Sequence, residues 1–286
     1  MSERIIDIHP HIVSTDTDRY PITPIGGTQS DWSKERSVEF DELVSAMDEA
    51  GVTKAAIVHS STTYAFNNAY VSDAIEGHRD RFTGVFSVNV LEPDAPEKMR
   101  YWHSRGMDGM RIYLRGSTIK EAWMAIDDPA AAPAWECAAD MGISVCINVN
   151  ARGIGLSQMR NILTRYPTVP LLLDHLGRPS IEDGPPYNDA KEFWDLAKFP
   201  NFYLKLTPSG FGAAQKGKAT LETFFDKLVG EFGADHVAWG SNFPSSPGSL
   251  KEIVDKCQNL LSRFSASDRA WIFSGTAEKL YPSLKG

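Results

Sequence analysis

Cysteine is scarce in this 286-residue chain: Cys137, Cys146 and Cys257 are the only three, and no two stand in a C-x-x-C pair. An odd, unpaired set excludes a disulfide framework and fits a reducing compartment. Long apolar runs are also missing. No stretch reaches the roughly 18 residues needed to cross a bilayer, and the N-terminus carries no apolar leader segment. A cytoplasmic protein without a membrane partner is therefore expected. Basic charge is in deficit, with 29 Lys and Arg against 37 Asp and Glu and a net charge of −8. That balance argues against nucleic acid or an anionic membrane surface as a partner. No glycine-rich phosphate turn follows any apolar run, and there is no P-loop, internal repeat or low-complexity linker. These absences count against a doubly wound nucleotide-binding sheet.

What the chain does contain is a regular alternation. Hydrophobic residues make up 42% of it, enough for a substantial core, and residues 1–286 are read as one domain. Short apolar strands are expected at 5–12, 54–59, 83–88, 108–113, 143–148, 169–174, 202–207 and 236–239. Helical or loop sequence follows each one. Helices are expected at 39–50, 66–79, 95–105, 130–139, 155–165, 187–198 and 218–232, with two more near 248–262 and 267–281. Residues 14–37 read as a long loop with Pro21, Pro24 and the pair Gly26-Gly27. Continuous apolar runs such as Val169-Pro170-Leu171-Leu172-Leu173 mark parallel strands buried on both faces. Eight such units close most naturally as an α/β fold of the (β/α)8 TIM-barrel kind with extra C-terminal helices.

In such barrels chemistry sits at the C-terminal ends of the strands. The first strand ends in His9-Pro10-His11, whose side chains share a face because a strand repeats every two residues. Other tips carry His59, Asn89, Arg111 or Tyr113, Asn148 and Asn150, His175, Lys205 and Asn242. Four of the seven histidines fall at tips. The other three, His78, His103 and His236, fall on helices or at a strand start and read as surface residues.

Three motifs in register carry a resemblance: His-x-His at 9–11, Asp-His-Leu-Gly-Arg-Pro at 174–179 and Trp-Gly-Ser-Asn-Phe-Pro at 239–244. Together they resemble the amidohydrolase superfamily over essentially the whole chain, in the branch that includes 2-pyrone-4,6-dicarboxylate lactonase. The resemblance implies a TIM-barrel hydrolase of carboxylated lactones, acting in catabolism on a small-molecule substrate. Metal-dependent members add a strand-5 histidine and a strand-8 aspartate to the first pair. Here those places hold Asn148 and Asn242, and a neutral amide is a poor ligand for a divalent transition metal. A metal-independent site without cofactor is expected; zinc or manganese at His9 and His11 is the alternative.

Without metal, His9, His11 and His175 are expected to polarise a lactone carbonyl and stabilise the oxyanion. In the lactonase branch the strand-8 aspartate is implied as the base, a role an amide cannot fill. Asn242 has three readings: native, positioning water while His59 or another histidine acts as base; an engineered replacement of aspartate; or a mark of lost hydrolysis. The first is preferred. Arg111, Arg115 and Arg178 resemble the branch's carboxylate contacts, since guanidinium binds carboxylate bidentately. Lys205 is either a substrate clamp or an ion-pair partner. His59, Tyr64 and Asn148 complete the expected substrate contacts. Asp7 and Asp174 are expected to orient imidazoles rather than react. Two other functions stay open: a metal-dependent amidohydrolase or non-oxidative decarboxylase, and a silent barrel that binds an acidic ligand. The acidic surface leaves a homo-oligomer open.

Overall fold

The structure, a computed structural model, describes residues 4–286. Its eight strands are β1 (Ile5–Asp7), β2 (Val52–Val58), β3 (Phe82–Phe86), β4 (Gly109–Ile112), β5 (Ser144–Ile147), β6 (Leu171–Leu173), β7 (Phe202–Leu206) and β8 (Val237–Trp239). They form one parallel sheet in sequence order, so each crossover returns the chain beside the strand it left. The sheet curls until Ile8 N–H meets the Trp239 carbonyl at 3.4 Å. Asp7 reinforces this seam: its Oδ1 accepts from the backbone N–H of His9 at 2.9 Å and of Ser241 at 2.8 Å. The expected (β/α)8 barrel is observed.

Helices pack around the strands: α1 (Asp31–Glu35), α2 (Phe40–Ala50), α3 (Ser61–Tyr64), α4 (Ala69–Ala74), α5 (Ala95–Ser104), α6 (Ala132–Met141) and α7 (Ile154–Arg165). They continue with α8 (Lys191–Trp194), α9 (Pro208–Ala213), α10 (Leu221–Phe232), α11 (Leu250–Leu261), α12 (Ala266–Ala270) and α13 (Thr276–Leu280). Helix α2 shows why the periodic reading works. Glu39 and Glu42 form a reciprocal capping box, Leu43 and Met47 are buried, and Gly51 ends the helix in the left-handed region.

Alternate strand residues point to opposite sides. Ile6, Ala56, Val58, Val85, Cys146, Leu172 and Ala238 fill the barrel, while Ile5, Ile57, Phe86, Leu171 and Leu173 pack outward on the helices. Ala277, Leu280, Tyr281 and Leu284 join the inner set, and the Ser144 hydroxyl donates to the Leu280 carbonyl at 2.8 Å. The C-terminal helices thus plug the barrel end opposite the strand tips. All three cysteines are free and buried.

Several boundaries move. The strand expected over 5–12 stops at Asp7, because Asp7 captures the His9 N–H and Pro10 has none to give. His9-Pro10-His11 is instead held by other parts of the barrel mouth: His11 N–H donates to Phe243 and Val58 N–H to Pro10. The helix expected at 66–79 shrinks to α4, and 187–198 breaks into α8 and two flanking single turns. Helix 267–281 is divided by a π-turn at Trp271–Gly275. The long loop 14–37 contains α1. Among the described residues, no helix is long and apolar enough to cross a membrane.

Candidate active site

The strand tips surround a cavity of about 320 Å³. Its floor rests on a buried charged layer. Asp174, at the end of β6, receives Arg111 Nε at 2.9 Å on one carboxylate oxygen and faces Lys205 Nζ at 3.0 Å on the other. His9 Nδ1 is 3.8 Å from the same carboxylate. Burial alone would push the Asp174 carboxyl up, but the Lys205 and Arg111 cations outweigh it and hold it at about 2. Asp7, by contrast, is raised by burial, against the pull of its Ser241 hydrogen bonds.

Above this layer three imidazoles converge. His9 and His11 meet edge to face at 4.9 Å between centroids, and His9 and His175 lie 5.0 Å apart. All three are neutral at pH 7. Burial, with Arg111 next, lowers His11 to about 3 despite its hydrogen bond to Val58. Burial lowers His175 to about 4, with Asp174 opposing. Burial, then Lys205 and Arg111, drives His9 well below its ordinary value.

The tautomer of His11 follows from geometry. Its Nδ1 lies 2.7 Å from the Val58 carbonyl, which can only accept, so Nδ1 carries the proton. Nε2 is then a bare lone pair on a residue that lines the cavity. Trp32 of α1 stacks on this ring at 5.2 Å and 26°. His175 sits differently: its Nδ1 is 2.8 Å from Thr207 Oγ1, which in turn is 3.0 Å from Ser209 Oγ. It is placed by an unusual turn in which His175, Leu176, Gly177 and Arg178 all have positive φ, between 52° and 63°. Such left-handed residues cost about 1–3 kcal/mol each outside glycine and collect at functional sites. At Gly177 a Cβ would stand 2.5 Å from Leu173 Cδ2, so a larger residue would shift the turn. Gly240 is constrained in the same way, since a Cβ there would lie 2.6 Å from His9 Cβ.

The mouth is cationic although the chain is acidic overall. Arg36, Arg111, Arg115 and Arg178 line it, against Asp31 and the already paired Asp174. Asn242, at φ 53°, also lines it, with Nδ2 turned 3.3 Å from Ser246 Oγ. That leaves its Oδ1 to accept a hydrogen bond.

His11, His175, Asn242, Arg111, Arg115, Arg178 and Asn148 are thus brought to one cavity. The remaining expectations need correction. His9 is fully buried and outside the lining, beneath the other two imidazoles, so it is not placed to touch a substrate. His11, as tautomerised, offers a lone pair rather than the donor expected for an oxyanion. His59 turns away: its Nε2 is 2.8 Å from the Ala65 carbonyl, which holds the chain after β2, and it is no candidate base. Tyr64 accepts the Ser14 N–H at 2.8 Å from a buried position off the cavity. Lys205 is completely buried and serves Asp174, the ion-pair alternative rather than a substrate clamp. Asn148 lines the wall, yet its amide is committed to Leu114 N–H at 2.7 Å and the Arg115 carbonyl. Asp7 orients backbone, not imidazole. Of the aromatic residues in the loops after the strands, Trp32 lines the pocket and Tyr187 lies in the core with its hydroxyl 2.7 Å from Thr223. Sequence reasoning missed Arg36 and Thr207, since neither stands in a motif; Ser60-Ser61-Thr62, directly after His59, was a visible polar signal.

Whether a divalent metal fits turns on the charged layer. Among the described residues, His9, Asp174 and His175 hold donor atoms within 4.8 Å of one another. Both His9 nitrogens are buried without a hydrogen-bond partner, which favours an ion. Against this, Asp174 already faces Arg111 and Lys205, and Asn242, just after β8, offers a neutral amide rather than a carboxylate. A dication there would have to share the Asp174 carboxylate with Arg111 and Lys205, whose positive side chains would repel it.

A family model described as Amidohydrolase matches residues 6–283. An L-fucono-1,5-lactonase of Burkholderia ambifaria is 27% identical over 256 residues, spanning 84% of this chain and 83% of that protein. Among solved structures, a probable 2-pyrone-4,6-dicarboxylic acid hydrolase of Acinetobacter baumannii with citric acid bound superposes with a TM-score of 0.77. It is 18% identical and covers 98% of this chain and 99% of that one. An amidohydrolase of Burkholderia multivorans with bound zinc superposes at 0.75, 20% identical, over 98% and 99% of the two chains.

Proposed function

The chain belongs to the amidohydrolase family, and on that premise we propose that it is a metal-independent hydrolase that opens a lactone carrying a carboxylate. The observation that carries this reading is the bare Nε2 of His11 facing a cavity ringed by guanidinium groups. The named lactonase relative and the fold neighbours agree with lactone chemistry. The charged layer supports the absence of metal, because its carboxylate is spent on Arg111 and Lys205.

In this reading Arg178 and Arg115 grip the substrate carboxylate, and Arg111 keeps Nε on Asp174 while its terminal N–H groups meet the lactone carbonyl. Asn242 Oδ1 accepts a hydrogen from the attacking water. As the oxygen adds to the carbonyl carbon, the water's proton passes to His11 Nε2. The Thr207 hydroxyl donates to His175 Nδ1, which leaves Nε2–H of His175 as a second donor to the oxyanion. Collapse of the intermediate breaks the ring C–O bond, and the departing oxygen takes the proton from His11. The product is a hydroxy acid, and its new carboxyl releases one proton to solvent. Carboxylate and oxyanion next to His11 stabilise its charged form, so the base strengthens when substrate is bound.

The test is proton release on a panel of carboxylated lactones in the presence of chelator, beside the Asn242→Asp form, with metal content measured on the same protein. Chelator-insensitive turnover by the unaltered chain is the expected result. Turnover that follows added zinc or manganese would replace the metal-free reading, and binding without turnover would mark a silent barrel.

A further inference from the structure

The turn that carries Asn242 is held from outside the barrel by a residue no motif points to. Arg36, directly after α1, donates from one terminal nitrogen to the Ser245 carbonyl at 2.9 Å and reaches the Pro244 carbonyl from Nε at 3.4 Å. The same turn is closed internally by Ser246 N–H donating to the Asn242 carbonyl at 2.7 Å. At the other end of α1, Trp32 stacks on His11, and the Arg36 N–H donates to the Trp32 carbonyl at 2.9 Å. One five-residue helix and the arginine that caps it therefore touch the proposed proton acceptor on one side and the Asn242 turn on the other. Among the described residues Arg36 makes no ion pair, and both carbonyls it uses belong to backbone. Its planar fork suits two carbonyls on adjacent residues, a geometry that a lysine ammonium cannot span.

We propose that Arg36 is a positioning residue, a latch that ties α1 to the 242–246 turn and so sets Asn242 against His11. This rests on the reading of Asn242 and His11 given above. Arg36 is exposed, so its removal leaves the core and the charged layer intact.

The test compares Arg36→Ala, Arg36→Lys and Asn242→Ala, singly and as the Arg36→Ala/Asn242→Ala pair. Hydrogen exchange at residues 242–246 needs no substrate: the Ser246 amide is expected to exchange at least about tenfold faster in Arg36→Ala, with the thermal midpoint nearly unchanged. On a lactone turned over by the unaltered chain, kcat is expected to fall about tenfold with KM within about twofold, and the loss to vanish in the Asn242→Ala background. Arg36→Lys is expected to rescue little. Full rescue by lysine, or a loss expressed in KM, would make Arg36 a substrate-anion contact and overturn the latch. An unchanged exchange rate would overturn it too. If no lactone is hydrolysed by any form while exchange still accelerates, the latch stands and the hydrolase reading falls.

Discussion

The floor and the rim of the cavity are built on opposite terms. On the floor, Asp7, His9, Asp174 and Lys205 are buried: Asp7 accepts the His9 backbone N–H, and Asp174 faces Arg111 and Lys205. At the rim, Arg36 and Arg178 are exposed on loops and turns. The floor has one arrangement, because every change leaves a buried charge uncompensated. The rim can be rewritten at small cost to the fold. Stability is thus concentrated on the floor, while the groups proposed to act on substrate lie above it.

The sharpest break is expected at the floor. Asp174→Asn leaves Arg111 and Lys205 facing each other without an anion, and about 3–5 kcal/mol of stability should be lost, as removal of one partner of a buried pair generally costs. Chemical denaturation measures it; a loss of under about 1 kcal/mol would mean that the floor is no more rigid than the rim. One layer higher, His11→Asn keeps a donor for the Val58 carbonyl but removes Nε2. It should lower kcat by about 10²–10⁴ while the protein stays folded, the range for losing a general base. A variant as active as the parent would eliminate His11 as proton acceptor.

At the rim, Arg178→Ala should raise KM by about 10–100-fold, as losing a charge-assisted hydrogen bond of about 1.5–3 kcal/mol implies. The unfolding free energy should stay within about 0.5 kcal/mol of the parent's. Steady-state kinetics and a denaturation curve on the same variant decide whether floor and rim are separable.

The mildest effect is expected from pH near neutrality. His11 and His175, held at about 3 and about 4, are already unprotonated. Between pH 6 and 8, kcat/KM should change by less than about twofold, whereas a free imidazole would give a limb near 6.5. Below that range stability should fall. Histidines depressed in the folded state bind fewer protons than in the unfolded chain between their ordinary value of 6.5 and about 4. The unfolded state is therefore favoured as pH drops through that window, and protonation of Asp174 adds to the loss further down, toward about 2. A thermal midpoint unchanged from pH 7 to pH 4 would contradict neutral buried histidines.

Much of this was legible in the chain. The eight strands follow from apolar runs, and the left-handed turn at 175–178 lies inside a visible motif. Other parts were hidden for identifiable reasons. His59, at a strand tip, and Tyr64, at the end of α3, turn polar atoms to backbone, and position along the chain does not say which way a side chain faces. Lys205 also looked like a substrate contact. Its partner Asp174 directly follows the neighbouring strand, and only the register of β6 against β7 brings them together.

By itself, then, the sequence determined the barrel, its strand order and the cluster of histidines and arginines at its mouth. Strands buried on both faces are mostly apolar, and the polar residues of the site gather toward their C-terminal ends. The tertiary structure alone decided the roles within that cluster. The proton on His11 is placed by the Val58 carbonyl, 47 residues along the chain, and Arg36 finds its partners more than 200 residues away. Periodicity records how deeply a residue is buried. The partner of a buried polar atom depends on how strands and loops come to rest across the barrel, and burial makes that partner decide tautomer, charge and reactivity.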